Sequence, residues 1–204
     1  NIDFDVSVTQ AVEYLFTTFD GTATISPLSA VGGLDAIVTG SQNYESSTKV
    51  VVNNNAVTLS GSSGNISANV FSMRNFPQNA ATLNFWYRPS LLPSSANNIL
   101  GDSNASGNHF SIEYIGGGNS YRFKVNGFAS SLASDNVNFN LELERWHNFS
   151  INFSDSSGNV EFHLDGVQLG NLSIAGNPTH QNMDFTAAGD YDAIRLFDYE
   201  ITNA

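Results

Sequence analysis

RWHNFSINFSDSSGNVEFHLDGVQL, residues 145–169, carries apolar side chains at every second position on either side of a turn. Phe149, Ile151 and Phe153 lie on one parity, and Val160, Phe162 and Leu164 repeat the pattern on the return. A period of two is what a strand with one buried face requires, because successive side chains point to opposite faces. The intervening Asp155-Ser156-Ser157-Gly158-Asn159 is turn chemistry, so the two runs form a hairpin. Asp165-Gly166 then supplies a tight turn into Val167 and Leu169.

The same alternation extends outward in both directions. Upstream, Leu83, Phe85 and Tyr87 alternate with Asn84, Trp86 and Arg88 until Pro89. Phe110, Ile112 and Tyr114 alternate with His109, Ser111 and Glu113. The Gly- and Asn-rich residues 116–120 turn the chain into Tyr121, Phe123 and Val125, interleaved with Arg122, Lys124 and Asn126. Downstream, the chain closes on Asp192, Ile194 and Leu196. No stretch holds a helical period. These runs predict an all-β, two-sheet antiparallel β-sandwich of about twelve to fourteen strands, each sheet burying one side. Residues 20–64 are looser, with Gly, Ser and Asn joins around short strands. Residues 1–10 are a lead-in or a first edge strand, and 11–204 form a single domain.

Composition removes several function classes. The 204 residues include no Cys, which excludes disulfides, thiolate metal sites and a cysteine nucleophile. Nineteen acidic against seven basic side chains leave a net charge of −12, with Lys49 and Lys124 the only lysines. Nucleic acid and anionic membranes attract clustered cations, so neither is an expected partner. No apolar run reaches the roughly 18 residues of a membrane span, and no membrane insertion is expected. The Asn- and Ser-rich, Lys-poor composition fits a secreted or surface-displayed bacterial protein, with this chain a module flanked by other domains. Asn-x-Ser triplets begin at Asn65, Asn104, Asn148, Asn152 and Asn171 and would be glycan acceptors in a eukaryotic secretory pathway.

Four segments in order carry a family resemblance. VEYLFTTFDGT (12–22), ATLNFWYRP (81–89), the Trp-His…Asp-Gly stretch at 145–169 and DYDAIRLFDYEIT (190–202) together resemble the laminin-G-like and concanavalin-A-like lectin–glucanase jelly rolls. The resemblance implies a jelly roll, and a fold that hosts lectins, polysaccharide-binding modules, glycosidases and peptide receptors alike. The expected role is non-catalytic carbohydrate recognition within an extracellular multidomain protein. An adhesion or spacer module is the rival, and a glycosidase the lower alternative.

Chemistry along the chain favours binding over catalysis. Laminarinase- and lichenase-type relatives carry paired carboxylates on one strand, and retaining hydrolysis needs two carboxyls about 5 Å apart. The comparable strand here, His109 to Glu113, keeps only Glu113. Glu142 and Glu144 share a face but immediately precede Trp146, and Glu161, His163 and Asp165 include a turn residue. No Gly-x-Ser-x-Gly elbow occurs, and the four histidines lack zinc-ligand spacing. His163 reads as a solvated strand residue.

The resemblance also implies a structural Ca²⁺ where the first strand meets the last. Asp192 holds that position, with Asp190 and carbonyls around Asp20 and Gly21 as partners. By parity Asp192 shares a side with Ile194 and Leu196, pointing its carboxylate toward the end of the core. Its other reading is a loop cap on backbone N–H groups. For a glycan ligand, the outward-parity residues Asn84, Trp86, Arg88, His109, Ser111, Glu113, Arg122 and Lys124 form the expected polar face. Trp86 is there either a stacking platform or part of a second core.

Overall fold

The computed structural model describes residues 13–17, 28–29, 35–39, 43–46, 55–59, 70–74, 80–90, 98–101, 109–116, 118–126, 136–154, 158–173 and 182–197. They contain sixteen strands and no helix, so none is long and apolar enough to cross a membrane. The first six are β1 (Glu13–Thr17), β2 (Leu28–Ser29), β3 (Asp35–Thr39), β4 (Asn43–Ser46), β5 (Asn55–Leu59) and β6 (Val70–Arg74). Then come β7 (Ala80–Pro89), β8 (Asn98–Leu100), β9 (His109–Tyr114), β10 (Ser120–Asn126) and β11 (Asn136–Asn140). The last are β12 (His147–Ser154), β13 (Asn159–Leu164), β14 (Val167–Ser173), β15 (Asn182–Phe185) and β16 (Gly189–Phe197). The count exceeds the expected twelve to fourteen because pieces as short as the two-residue β2 leave no alternation to read.

One layer is an eight-stranded antiparallel sheet ordered β14-β13-β12-β7-β16-β5-β4, with β1 also on β16. β16 is shared along its length: residues 189–191 pair with β5, while 194–197 pair with β1. The other layer consists of two four-stranded pieces, β11-β10-β9-β8 and β15-β6-β3-β2. Reciprocal backbone bonds between Gly101 and Asp184, at 2.9 and 2.6 Å, join them into one surface.

Between the layers the alternating apolar side chains meet as an aromatic core. Phe123 of β10 stacks on Phe162 of β13 at 4.6 Å, and Phe110 of β9 meets Phe153 of β12 at 5.8 Å. Within the large sheet Phe85 and Phe149 stack at 4.9 Å, and across the layers Phe185 of β15 meets Phe85 edge to face at 5.1 Å. Offset-stacked and edge-to-face pairs each add about 0.5–1.5 kcal/mol beyond burial. Gly189 starts β16 at φ 150°, where a Cβ would strike the Arg88 carbonyl and the Tyr87 ring. Only glycine lets β16 approach β7 so closely.

Candidate functional site

The outer surface of the large sheet is built row by row across its strands. In one row His163 of β13, Ser150 of β12, Asn84 of β7 and Arg195 of β16 are successive cross-strand partners. The next row runs Glu161, Asn152, Thr82 and Phe197. Most of these side chains, with Asn148 and Gly166, line a groove of about 360 Å³. Its floor is an amide network. Asn84 Nδ2 donates to Asn148 Oδ1 at 3.2 Å and to the Phe149 carbonyl at 3.1 Å. Asn148 Nδ2 donates in return to Asn84 Oδ1 and to the Phe85 carbonyl, each at 3.4 Å. Phe197 contributes an aromatic wall.

The expected ligand face divides in two. Asn84, Trp86 and Arg88 lie on β7 in the large sheet, whereas His109, Ser111, Glu113, Arg122 and Lys124 lie on β9 and β10 in the other layer. Both sheets bury their apolar parity against each other, so their polar parities face away on opposite sides of the sandwich. Alternation assigns a side within a strand but does not say which sheet the strand joins. Asn84 enters the groove. Trp86 is half-buried, opposite Asn148 and Asp192. Arg88 is held by Asp190, with Nε donating to Oδ2 at 2.6 Å, and its guanidinium lies over the Trp146 ring, 5.4 Å from the centroid.

On the opposite face Glu113 is the centre of a small charge cluster. Arg122 Nη2 donates to its Oε2 at 2.6 Å, Lys124 Nζ stands 3.5 Å from Oε1, and Ser111 Oγ donates to Oε1 at 3.2 Å. Burial works to raise the carboxyl's pKa, but the Arg122 hydrogen bond, both neighbouring cations and the Ser111 hydroxyl outweigh it. The net effect holds Glu113 below the usual carboxylate range, and it is ionised at neutral pH. The side chain of His109 lies outside the described residues.

Two further expectations are corrected. His163 is not solvated: it is 7% exposed at the groove wall, with Nε2 3.4 Å from Glu161 Oε2. Asp192 does not share the core parity of Ile194 and Leu196. It pairs with Trp86, and a β-bulge between Asp192 and Arg195 reverses the parity beyond it. Asp192 is nonetheless fully buried, and its Oδ1 accepts the Ala193 N–H at 2.6 Å. Of the other expected calcium partners, Asp190 is ion-paired with Arg88, and Asp20 and Gly21 lie outside the described residues. Among the described residues no three His, Asp or Glu side chains gather as a metal group.

Sequence reasoning missed Thr82, Asn148, Ser150, Asn152, Phe197 and Arg195 as groove residues. The three on β12 were within reach, since they occupy the parity opposite Phe149, Ile151 and Phe153. Arg195 and Phe197 were within reach too, since they alternate with the core-facing Ile194 and Leu196. Two of the Asn-x-Ser asparagines, Asn148 and Asn152, belong to this groove, and Asn152 is 4% exposed. Asn171 stands exposed on edge strand β14, while Asn65 and Asn104 lie outside the described residues.

The fold has solved counterparts. Domain 4 of AbnA, a GH43 extracellular arabinanase from Geobacillus stearothermophilus in complex with arabinotriose, superposes with a TM-score of 0.67 at 13% identity. That match covers 94% of this chain and 95% of the other. Trypanosoma rangeli sialidase in complex with the inhibitor DANA gives 0.63 at 14% identity over 94% of this chain and 31% of the enzyme. A botulinum neurotoxin type C structure, described by cell entry dependent on two ganglioside molecules, gives 0.61 at 12% identity over 93% and 49%. A search of curated protein sequences matched none. Residues 39–203 match the Concanavalin A-like lectin/glucanases superfamily, and the chain, matched over most of its length, belongs to that superfamily.

Proposed function

We propose that this chain is a non-catalytic carbohydrate-binding module of an extracellular multidomain protein, and that it binds glycan in the groove on the large sheet. The groove carries the reading. A pyranose has an apolar ring face and a rim of hydroxyls, and this groove sets an aromatic side chain beside amides and hydroxyls held in register. Its fold counterparts include a domain solved with arabinotriose and a toxin whose cell entry involves gangliosides. The non-catalytic reading is supported by the carboxylates. None lines the groove among the described residues, and on the opposite outer surface Glu113 is bound to two cations rather than paired with a second acid.

The test is a glycan array followed by calorimetry, with hydrolysis assayed on the same saccharides. Binding is expected to weaken in Asn148→Ala and to persist in Arg122→Ala on the opposite face, with no product released. Binding lost in Arg122→Ala but kept in Asn148→Ala would move the site to the other sheet. Turnover that disappears in Glu113→Gln would make the chain an enzyme.

A structural calcium held by Asp192, with carbonyl oxygens around Asp20 and Gly21, belongs to the same proposal. Calcium bound by the folded state alone would stabilise it by about 1.4 kcal/mol at ten times Kd. Chelation is expected to lower the melting temperature by roughly two to four degrees per kcal/mol, and Asp192→Asn to remove that response. Identical melting in excess calcium and excess chelator would leave Asp192 as the cap of the bulge.

A further inference from the structure

Resting on the reading of the groove as a glycan site, we infer that its amide floor only accepts hydrogen bonds, and that its ligand is a neutral glycan presenting unsubstituted hydroxyls there as donors. The first observation is where the amide protons go. Asn84 Nδ2 donates to Asn148 Oδ1 at 3.2 Å and to the Phe149 carbonyl at 3.1 Å. Asn148 Nδ2 donates to Asn84 Oδ1 and to the Phe85 carbonyl, each at 3.4 Å. A primary amide has two N–H groups and an oxygen with two lone pairs. Both N–H groups of each side chain are therefore used within the sheet, while each oxygen has accepted one bond and retains a second lone pair.

The second observation is that this polarity is fixed. Each nitrogen faces a strand carbonyl, that of Phe149 for Asn84 and that of Phe85 for Asn148. Turning either amide over would set oxygen against oxygen twice, once at that carbonyl and once at the other amide. The two residues are diagonal neighbours on β7 and β12, Asn84 opposite Ser150 and Asn148 opposite Trp86, so the paired strands hold them together. The acceptors are built into the sheet before any ligand arrives.

The third observation is the rest of the lining. Among the described residues it contains no Asp or Glu. Its basic side chains are already engaged, His163 beside Glu161 and Arg195 with a partner of its own. Ser150 lies between Asn84 and His163 in the row, and its hydroxyl turns to either role. The amide pair therefore decides the polarity demanded of a ligand. A free sugar hydroxyl donates to such an oxygen. An ether, an O-acetyl group or a carboxylate sets a second acceptor against it and leaves both unpaired. The net charge of −12 acts in the same direction, since it repels acidic glycans.

The test measures binding of arabinotriose, xylotriose, cellotriose and trigalacturonate by calorimetry, then of monodeoxy and monodeoxyfluoro analogues of the tightest neutral sugar. Fluorine replaces the hydroxyl at similar size but has no proton to donate. At one position or more both analogues are expected to bind about tenfold more weakly than the parent, because an acceptor in the floor is left unpaired. In Asn148→Ala the parent should bind no more tightly than those analogues, with Asn84→Ala as a second variant and melting curves checking that both fold. Three results overturn the inference and leave the glycan reading standing: a fluoro series that matches the parent at every position, a gap unchanged in both variants, or trigalacturonate binding more tightly than every neutral sugar. No binding of any saccharide, charged or neutral, removes both.

Discussion

Glu144, Asp165 and Ala193 are the non-glycine residues at positive φ among those described, at 57°, 52° and 46°. Each stands where the chain must change direction or parity. Glu144 lies exposed in the turn before β12, where its N–H donates to the Pro89 carbonyl at 2.9 Å. A left-handed conformation costs a residue with a Cβ roughly 1–2 kcal/mol, partly offset by the greater chain entropy of glycine. Glu144→Gly is therefore expected to raise stability by about 0.5–1 kcal/mol, read as a higher urea midpoint; a lower midpoint would show that the Glu144 side chain stabilises the turn. Residues like these mark the limit of what parity can read. Asp165 was legible, because Asp-Gly between alternating runs is a turn with a mechanism. Ala193 was not, since nothing in an alanine announces a bulge, and the expected side of Asp192 fell with it.

Pairs of strands were the most legible level, and the structure gives the family pattern a physical cause. His147 opens β12, and Asp165 sits in the turn joining β13 to β14. Their side chains meet with Nδ1 2.9 Å from Oδ2, while His147 Nε2 accepts the Glu142 N–H at 3.2 Å. The second Asp165 oxygen accepts the Asn148 N–H at 2.8 Å, and its own N–H returns to the Asn148 carbonyl. Trp-His and Asp-Gly thus fasten the start of one strand to the turn at the end of the next. Trp146 likewise serves as the platform for Arg88, itself tied to Asp190 on β16. Asp165→Ala is expected to destabilise by about 1–2 kcal/mol, toward the lower end because the side chain is part-exposed. A denaturant midpoint within error of the parent would show that the lock adds nothing to stability. Hairpins β9–β10 and β12–β13 were visible from their turns, but no local signal says that they belong to different layers.

Across the whole molecule the core is aromatic, and its tyrosines make it sensitive to alkali. Burial, reinforced by neighbouring tyrosines, pushes the Tyr121 hydroxyl up to about 12 and those of Tyr87 and Tyr191 well above their ordinary value. The buried hydroxyls of Tyr87 and Tyr191 donate to the carbonyls of Ala188 and Ala187 at 2.8 and 3.1 Å. An unfolded tyrosine ionises near pH 10, so above that pH the unfolded chain holds fewer protons than the folded one. The stability these groups contribute is complete below about pH 10 and is lost as pH rises through the folded values. Each can remove up to about 1.4 kcal/mol per pH unit in that window. Urea midpoints at pH 9, 10 and 11 should fall steeply over the last interval, with phenolate absorbance appearing together with unfolding; a flat profile would mean that the hydroxyls reach solvent in the folded state. The same sheet imposes an order in time. β16, the last strand described, lies inside the large sheet between β7 and the pair β5 and β1. While the chain is being synthesised, β7 must wait for about a hundred more residues to leave the ribosome before one of its two neighbours exists. Until then it presents an unpaired edge to the cell, a window in which chaperone capture and self-association compete with folding.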